Sequence, residues 1–161
     1  MIKVAFFQTH KYEVKEFTAL AKSNNIEIIF LEPRLTSQTA ILAKDCNVVC
    51  SFVNDRVDVE TLNILKKHTS IKLLALRSAG FNHVDIEHAT KLNIPVVRVP
   101  YYCPSAIAEH AVCLLLALNR KVHKAHLRIQ SLNFSLDGLV GFNLAGKTIG
   151  VIGTGAIGSR F

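Results

Sequence analysis

The 161 residues include no tryptophan and a single methionine. Acidic residues are scarce, 12 against 19 Lys plus Arg. No apolar run is longer than Ala111–Leu118, far below the roughly 20 residues a membrane-crossing helix needs. No membrane partner is therefore expected. Four cysteines, Cys46, Cys50, Cys103 and Cys113, form no C-x-x-C pair. Met1-Ile2-Lys3 opens no secretory segment, so a reduced, cytoplasmic protein is expected. Eight glycines and four prolines are too few for a collagenous or low-complexity chain. What is plentiful is apolar residues, 50% of the chain. A chain of this length and composition can bury a core without disulfides or metal, as one domain or a little more.

The net charge of +7 is uneven, +3 over residues 1–100 and +4 over residues 101–161. The densest cluster, Arg120, Lys121, Lys124 and Arg128 with His123 and His126, has no aromatics between its cations. A nucleic-acid stripe would interleave them. Cations suit the C-terminal half of a solvated helix, so no nucleic-acid partner is expected. His110 and Cys113 stand three apart on a predicted helix, but two ligands do not make a metal site. Core packing is expected there, and no metal.

The first hundred residues alternate short apolar strands with helical segments. Strands are predicted at 4–7, 26–30, 48–53, 71–76 and 95–99. Helices are predicted at 13–22, 36–44 (capped by Thr36 or Ser37), 57–68 and 85–92. That alternation implies an α/β fold with a parallel sheet covered on both faces. Ligands of such sheets sit at the carboxyl ends of the strands. One long helix of roughly 40 Å, at 1.5 Å per residue, is predicted from Pro104 or Ser105 to Gln130. Ile107, Ala111, Leu114, Leu115 and Leu118 make its apolar stripe, and its length suits joining two domains or packing on a partner chain. A loop over 131–146 and a sixth strand over 147–152 follow.

Two phosphate motifs compete near the end. Gly153-Thr154-Gly155-Ala156-Ile157-Gly158 is a dinucleotide fingerprint behind a predicted strand. Its first Gly permits a tight turn, its second lets backbone approach a pyrophosphate, and its third lets helix and strand pack closely. Gly141 to Thr148 also matches a nucleoside-triphosphatase loop, but that loop must leave a strand and enter a helix. Here an irregular segment precedes it, and Thr148 opens a predicted strand. The acidic ribose ligand of the dinucleotide motif would lie about 20 residues on, past Phe161. A parallel strand at 148–152 would also need neighbours reached through crossovers of a dozen or more residues. The expectation is a second domain cut at its first βα turn.

Three stretches then resemble one family: Leu76–Asp85 (LRSAGFNHVD), Arg98–His110 (RVPYYCPSAIAEH), and Phe134 to Gly155 with its GKTIGVIGTG ending. They are similar to the D-isomer-specific 2-hydroxyacid dehydrogenases, nearest the fermentative D-lactate branch. The resemblance spans all 161 residues but only about the first half of a family chain. It implies a flavodoxin-like substrate domain over 1–100, completed in full chains by the extreme C-terminus. It implies an interdomain helix and loop over 101–146 that build a homodimer, and the start of a Rossmann NAD-binding domain over 147–161. The reaction implied is hydride transfer between NADH and pyruvate, giving D-lactate. The Arg, His and Glu that carry it in the family lie after the glycine loop, so no catalytic residue is expected in this chain. Glu109 and His110 belong to the helix motif and do not replace them.

What carries over is one wall of the site. Ala79 and Gly80 match the turn whose N–H groups meet the substrate carboxylate. Tyr102 matches a cleft tyrosine, and Phe52 a residue of the side-chain pocket, where a bulky ring would favour a small substrate. Gly153 to Gly158 match the NAD loop; Ala156 departs from a longer polar residue common in the family, at a position that binds through backbone. Two other readings stand beside this one: a non-enzymatic flavodoxin-like binding module or gene remnant, and a phosphate-loop nucleotidase.

Overall fold

Five short runs of apolar and β-branched residues form a single parallel sheet: β1 (Ile2–Phe6), β2 (Ile26–Phe30), β3 (Val48–Ser51), β4 (Leu73–Leu76) and β5 (Val96–Arg98). The structure, a computed structural model, describes residues 1–161. The strand order is β2-β1-β3-β4-β5. Pairing is in register from Val4↔Val48 to Phe6↔Cys50 and from Val48↔Leu73 to Ser51↔Leu76. Strand order reverses between β1 and β3, the switch point at which open α/β sheets take ligands.

The period of two along each strand sends alternate residues to opposite faces. Ala5, Phe7, Val49 and Leu74 are fully buried on one face, packed with Leu62 and Leu65 of α2 (Val59–His68) and Ala89 of α3 (Ile86–Lys91). On the other face lie Val4, Phe6, Val48, Cys50 and Ala75. There α1 (Lys11–Ser23) contributes Phe17 and Ala21 and leaves a groove of about 270 Å³ against the sheet.

Side-chain caps set the helix starts. Asp58 accepts from the Thr61 N–H at 3.0 Å, and Asp85 from the His88 N–H at 2.8 Å. Val57, expected inside α2, lies outside it, bridged in parallel to Val84. Its N–H bonds the His83 carbonyl at 2.9 Å, and its carbonyl accepts from the Asp85 N–H at 3.0 Å. The helix expected over 36–44 is a shorter 3-10 turn, Ala40–Ala43. The Thr39 hydroxyl accepts from the Thr36 N–H at 2.9 Å and donates to the Arg34 carbonyl at 2.6 Å, which holds the preceding residues in a turn.

The chain divides into two compact units, Met1–Pro100 and Tyr101–Phe161. In the second, the single helix expected over 104–130 is two: α4 (Pro104–Asn119) and α5 (Val122–Gln130). Lys121 breaks it in the left-handed region at φ 54°. Just before that break, Asn119 spends its side chain on Phe142, donating Nδ2–H to its carbonyl (2.7 Å) and accepting from its N–H (3.1 Å). The N-cap of α4 is Cys103, and Pro104 takes the first helical position. Residues 147–152 pair with no strand, so the expected sixth strand does not form. A ladder needs a neighbour, and the described residues bring none to this segment. Ile149, Val151 and Ile152 are accordingly exposed.

Candidate functional site

The site is built at the carboxyl ends of β3 and β4, adjacent strands whose last paired residues are Ser51 and Leu76. Each strand hands over to a turn there. After β3, the turn is organised by Asp55, only 4% exposed. Its carboxylate accepts from the Phe52 N–H (2.7 Å), the Ser51 hydroxyl (2.9 Å) and the Leu35 N–H (2.9 Å). Three donors on one buried carboxylate hold the Phe52 backbone where β3 ends. Phe52 lies one residue past the strand, not inside it.

After β4, Ser78 to Gly80 form the second turn. The Ser78 hydroxyl donates to the Gly80 carbonyl at 2.7 Å, and Arg98 of β5 donates to the Ala79 carbonyl at 2.7 Å. Both carbonyls are thus engaged, while neither the Ala79 nor the Gly80 N–H has an acceptor within the protein. Gly80 is exposed, and a Cβ added to it would meet nothing within 4 Å. Successive unengaged N–H groups beside open space suit an anionic oxygen.

Between the two turns lies a residue that the sequence reading passed over. The Arg77 side chain, 7% exposed, forks onto two successive carbonyls, Phe7 (3.0 Å) and Gln8 (3.1 Å). Its Nε–H donates to Glu13 of α1 at 3.2 Å. The guanidinium lies over the rings of Phe6 (3.9 Å) and Phe52 (5.1 Å). The signal available in the sequence was an arginine directly after an apolar strand, a place where a charge is retained only if it is paired. His10 also neighbours Phe52, ring centroid to ring centroid at 5.7 Å in a T-shaped arrangement. Burial raises the Cys50 thiol above its ordinary range, although the nearby Arg77 pulls it down, so this sulfur stays protonated.

Tyr102 and the glycine loop belong to the second unit. Tyr102 is exposed, directly before the N-cap of α4. Glu109 and His110 are both exposed on α4. In the loop each glycine has a distinct reason. Gly153 is left-handed at φ 92°, a Cβ on Gly155 would meet nothing within 4 Å, and a Cβ on Gly158 would clash with the Gly153 carbonyl oxygen. The three glycines thus meet the backbone requirements of a dinucleotide loop, while residues 147–152 before it form no strand and only the short 3-10 turn Gly158–Arg160 follows. The competing pattern from Gly141 to Thr148 has neither a strand before it nor a helix after it, and Gly141 packs on the Asn119 carbonyl instead. No three His, Cys, Asp or Glu residues gather to hold a metal, and all four cysteines are free. No helix is long and apolar enough to cross a membrane.

The family model for the D-isomer specific 2-hydroxyacid dehydrogenase catalytic domain matches residues 4–156. A 2-hydroxyacid dehydrogenase homolog of Schizosaccharomyces pombe is 48% identical over 98% of this chain and 47% of its own length. The D-lactate dehydrogenase of Escherichia coli is 47% identical, again over 98% of this chain and 47% of its own length. The apo-structure of that enzyme superposes with a TM-score of 0.91, covering 99% of this chain and 50% of the other. A D-lactate dehydrogenase from Aquifex aeolicus, solved with NAD and lactic acid, gives a TM-score of 0.74 at 31% identity, covering 98% of this chain and 46% of the other. The chain spans about half the length of the curated relatives it matches.

Proposed function

The chain belongs to the D-isomer specific 2-hydroxyacid dehydrogenase family, an oxidoreductase family, and from that premise we propose that residues 1–161 are the substrate-side half of an NAD-dependent D-lactate dehydrogenase. The observation that carries this reading is the turn after β4, whose carbonyls are engaged and whose Ala79 and Gly80 N–H groups are free. They bind the carboxylate of a 2-oxo acid and orient its carbonyl. Phe52 closes the side-chain pocket and favours pyruvate, and Tyr102 is a further substrate-binding residue. Residues 1–100 are the substrate domain, 101–146 the interdomain helices and loop, and 147–161 the start of the cofactor domain. Gly153, Thr154, Gly155, Ala156, Ile157 and Gly158 hold the cofactor pyrophosphate through backbone. When bound, NADH would supply the hydride, and the carbonyl oxygen would take a proton from an acid that these 161 residues do not contain. The 161-residue polypeptide by itself therefore has no turnover and binds NAD poorly. In full length the enzyme is a cytoplasmic homodimer, with the exposed apolar residues of α4 at the subunit contact.

The test uses a full-length dehydrogenase that carries these residues as its first half. It reduces pyruvate with NADH. Gly80→Ala fits the open space beside the backbone, so stability is unchanged, while the KM for pyruvate rises by about tenfold or more, the scale of one displaced charge-assisted contact. An unchanged KM would make the turn merely structural and defeat the assignment.

A further inference from the structure

We propose that Arg77 is a positioning residue that sets substrate side-chain selectivity by holding the Phe52 ring, an inference that rests on the dehydrogenase reading above. The guanidinium is tied on one edge to the Phe7 and Gln8 carbonyls and on the other to Glu13, itself only 11% exposed. A planar group so anchored presents its face, and that face lies over Phe52 as well as Phe6. Phe52 then has two ring neighbours, the Arg77 guanidinium at 5.1 Å and the His10 ring at 5.7 Å and 78° to it. The anchor crosses the switch point. The loop after β1 holds the arginine, the arginine follows β4, and the ring follows β3 between them. Gln8 is shaped for this task. It sits in the left-handed region at φ 49°, with its N–H on the Pro33 carbonyl and its own carbonyl on Arg77. A lysine would keep the charge but lose both the fork and the flat face.

The experiment compares kcat/KM for pyruvate with kcat/KM for 4-methyl-2-oxopentanoate, in a full-length dehydrogenase carrying these 161 residues. The ratio of the two does not depend on how much enzyme is folded. Arg77→Lys frees the ring, and the preference for pyruvate falls by about fivefold or more, the scale of a methylene or two in an apolar pocket. In a Phe52→Ala background the same substitution leaves the ratio unmoved, because the ring it acts through is gone. Glu13→Gln loosens one anchor, shifts the ratio the same way by less, and replaces Arg77→Lys as the deciding variant should the latter not fold. Equal loss with both substrates, or an unmoved ratio, overturns the proposal while leaving the dehydrogenase reading intact. An unsubstituted enzyme inactive with every 2-oxo acid overturns that reading and the proposal together.

Discussion

Residues 1–100 and 101–161 have similar apolar chemistry and use it differently. In the first unit, strands and helices bury a contiguous core of residues such as Phe7, Leu35, Leu62 and Leu74, all fully inaccessible. In the second, only Pro104 and Ala108 are buried apolar residues, while Leu114, Leu118, Leu127, Ile129 and Ile152 are exposed. Burial at about 25 cal/mol per Å² of apolar surface is the main stabilising term in folding, and the first unit collects nearly all of it. The difference teaches that amphipathic pattern alone does not make a core; it needs a second layer to pack against.

That contrast can be broken or sharpened by substitution. The largest effect is expected from truncating the core: Leu62→Ala should cost about 2–5 kcal/mol, whereas Leu118→Ala on α4 should stay within about 0.5 kcal/mol. Chemical denaturation of both variants measures the pair; equal losses would erase the distinction. Next comes the buried carboxylate of the β3 turn. Asp55→Ala strands the Phe52 and Leu35 N–H groups and the Ser51 hydroxyl, at a cost of about 3 kcal/mol by the same measurement. Helix caps give a smaller step. Asp58→Ala should lose about 1 kcal/mol, while Lys121→Gly at the left-handed break between α4 and α5 should lose nothing.

The smallest effect is a pH slope. Burial lowers the His83 pKa beneath its ordinary 6.5, and its Nε2 is buried without a partner. The unfolded chain then takes up a proton that the folded one refuses. Stability is full above about pH 6.5 and declines as pH falls below it. His83→Gln should flatten that part of the stability profile. Persistence of the slope in the variant would assign it to other groups.

The sheet was legible because each strand is a short apolar run between turn residues, so that Ile26–Phe30 reads directly as a strand. The strand ends were less so: Phe52 continues the apolar run of β3 but lies past the last paired residue, because Asp55 captures its N–H. The turn at Ala79–Gly80 and the glycine loop were legible from residues matching a family pattern. Three features depended on remote neighbours that the local sequence does not show. Asn119 reads as an ordinary helix residue and becomes the clamp on Phe142 only through a contact 23 positions away. Residues 147–152 have a strand's composition, but a ladder is made by a neighbour and not by composition. Arg77 reads as a surface charge until the fold brings Glu13, Phe7 and Gln8 around it.

The proposed division between a substrate wall in residues 1–100 and chemistry carried elsewhere is tested most directly by one assay. NADH oxidation with pyruvate is followed for the purified 161-residue chain, and for the same residues as the first half of a full-length dehydrogenase. No turnover by the 161 residues alone and robust turnover in full length are predicted. Pyruvate reduction by the 161-residue chain alone would contradict the account.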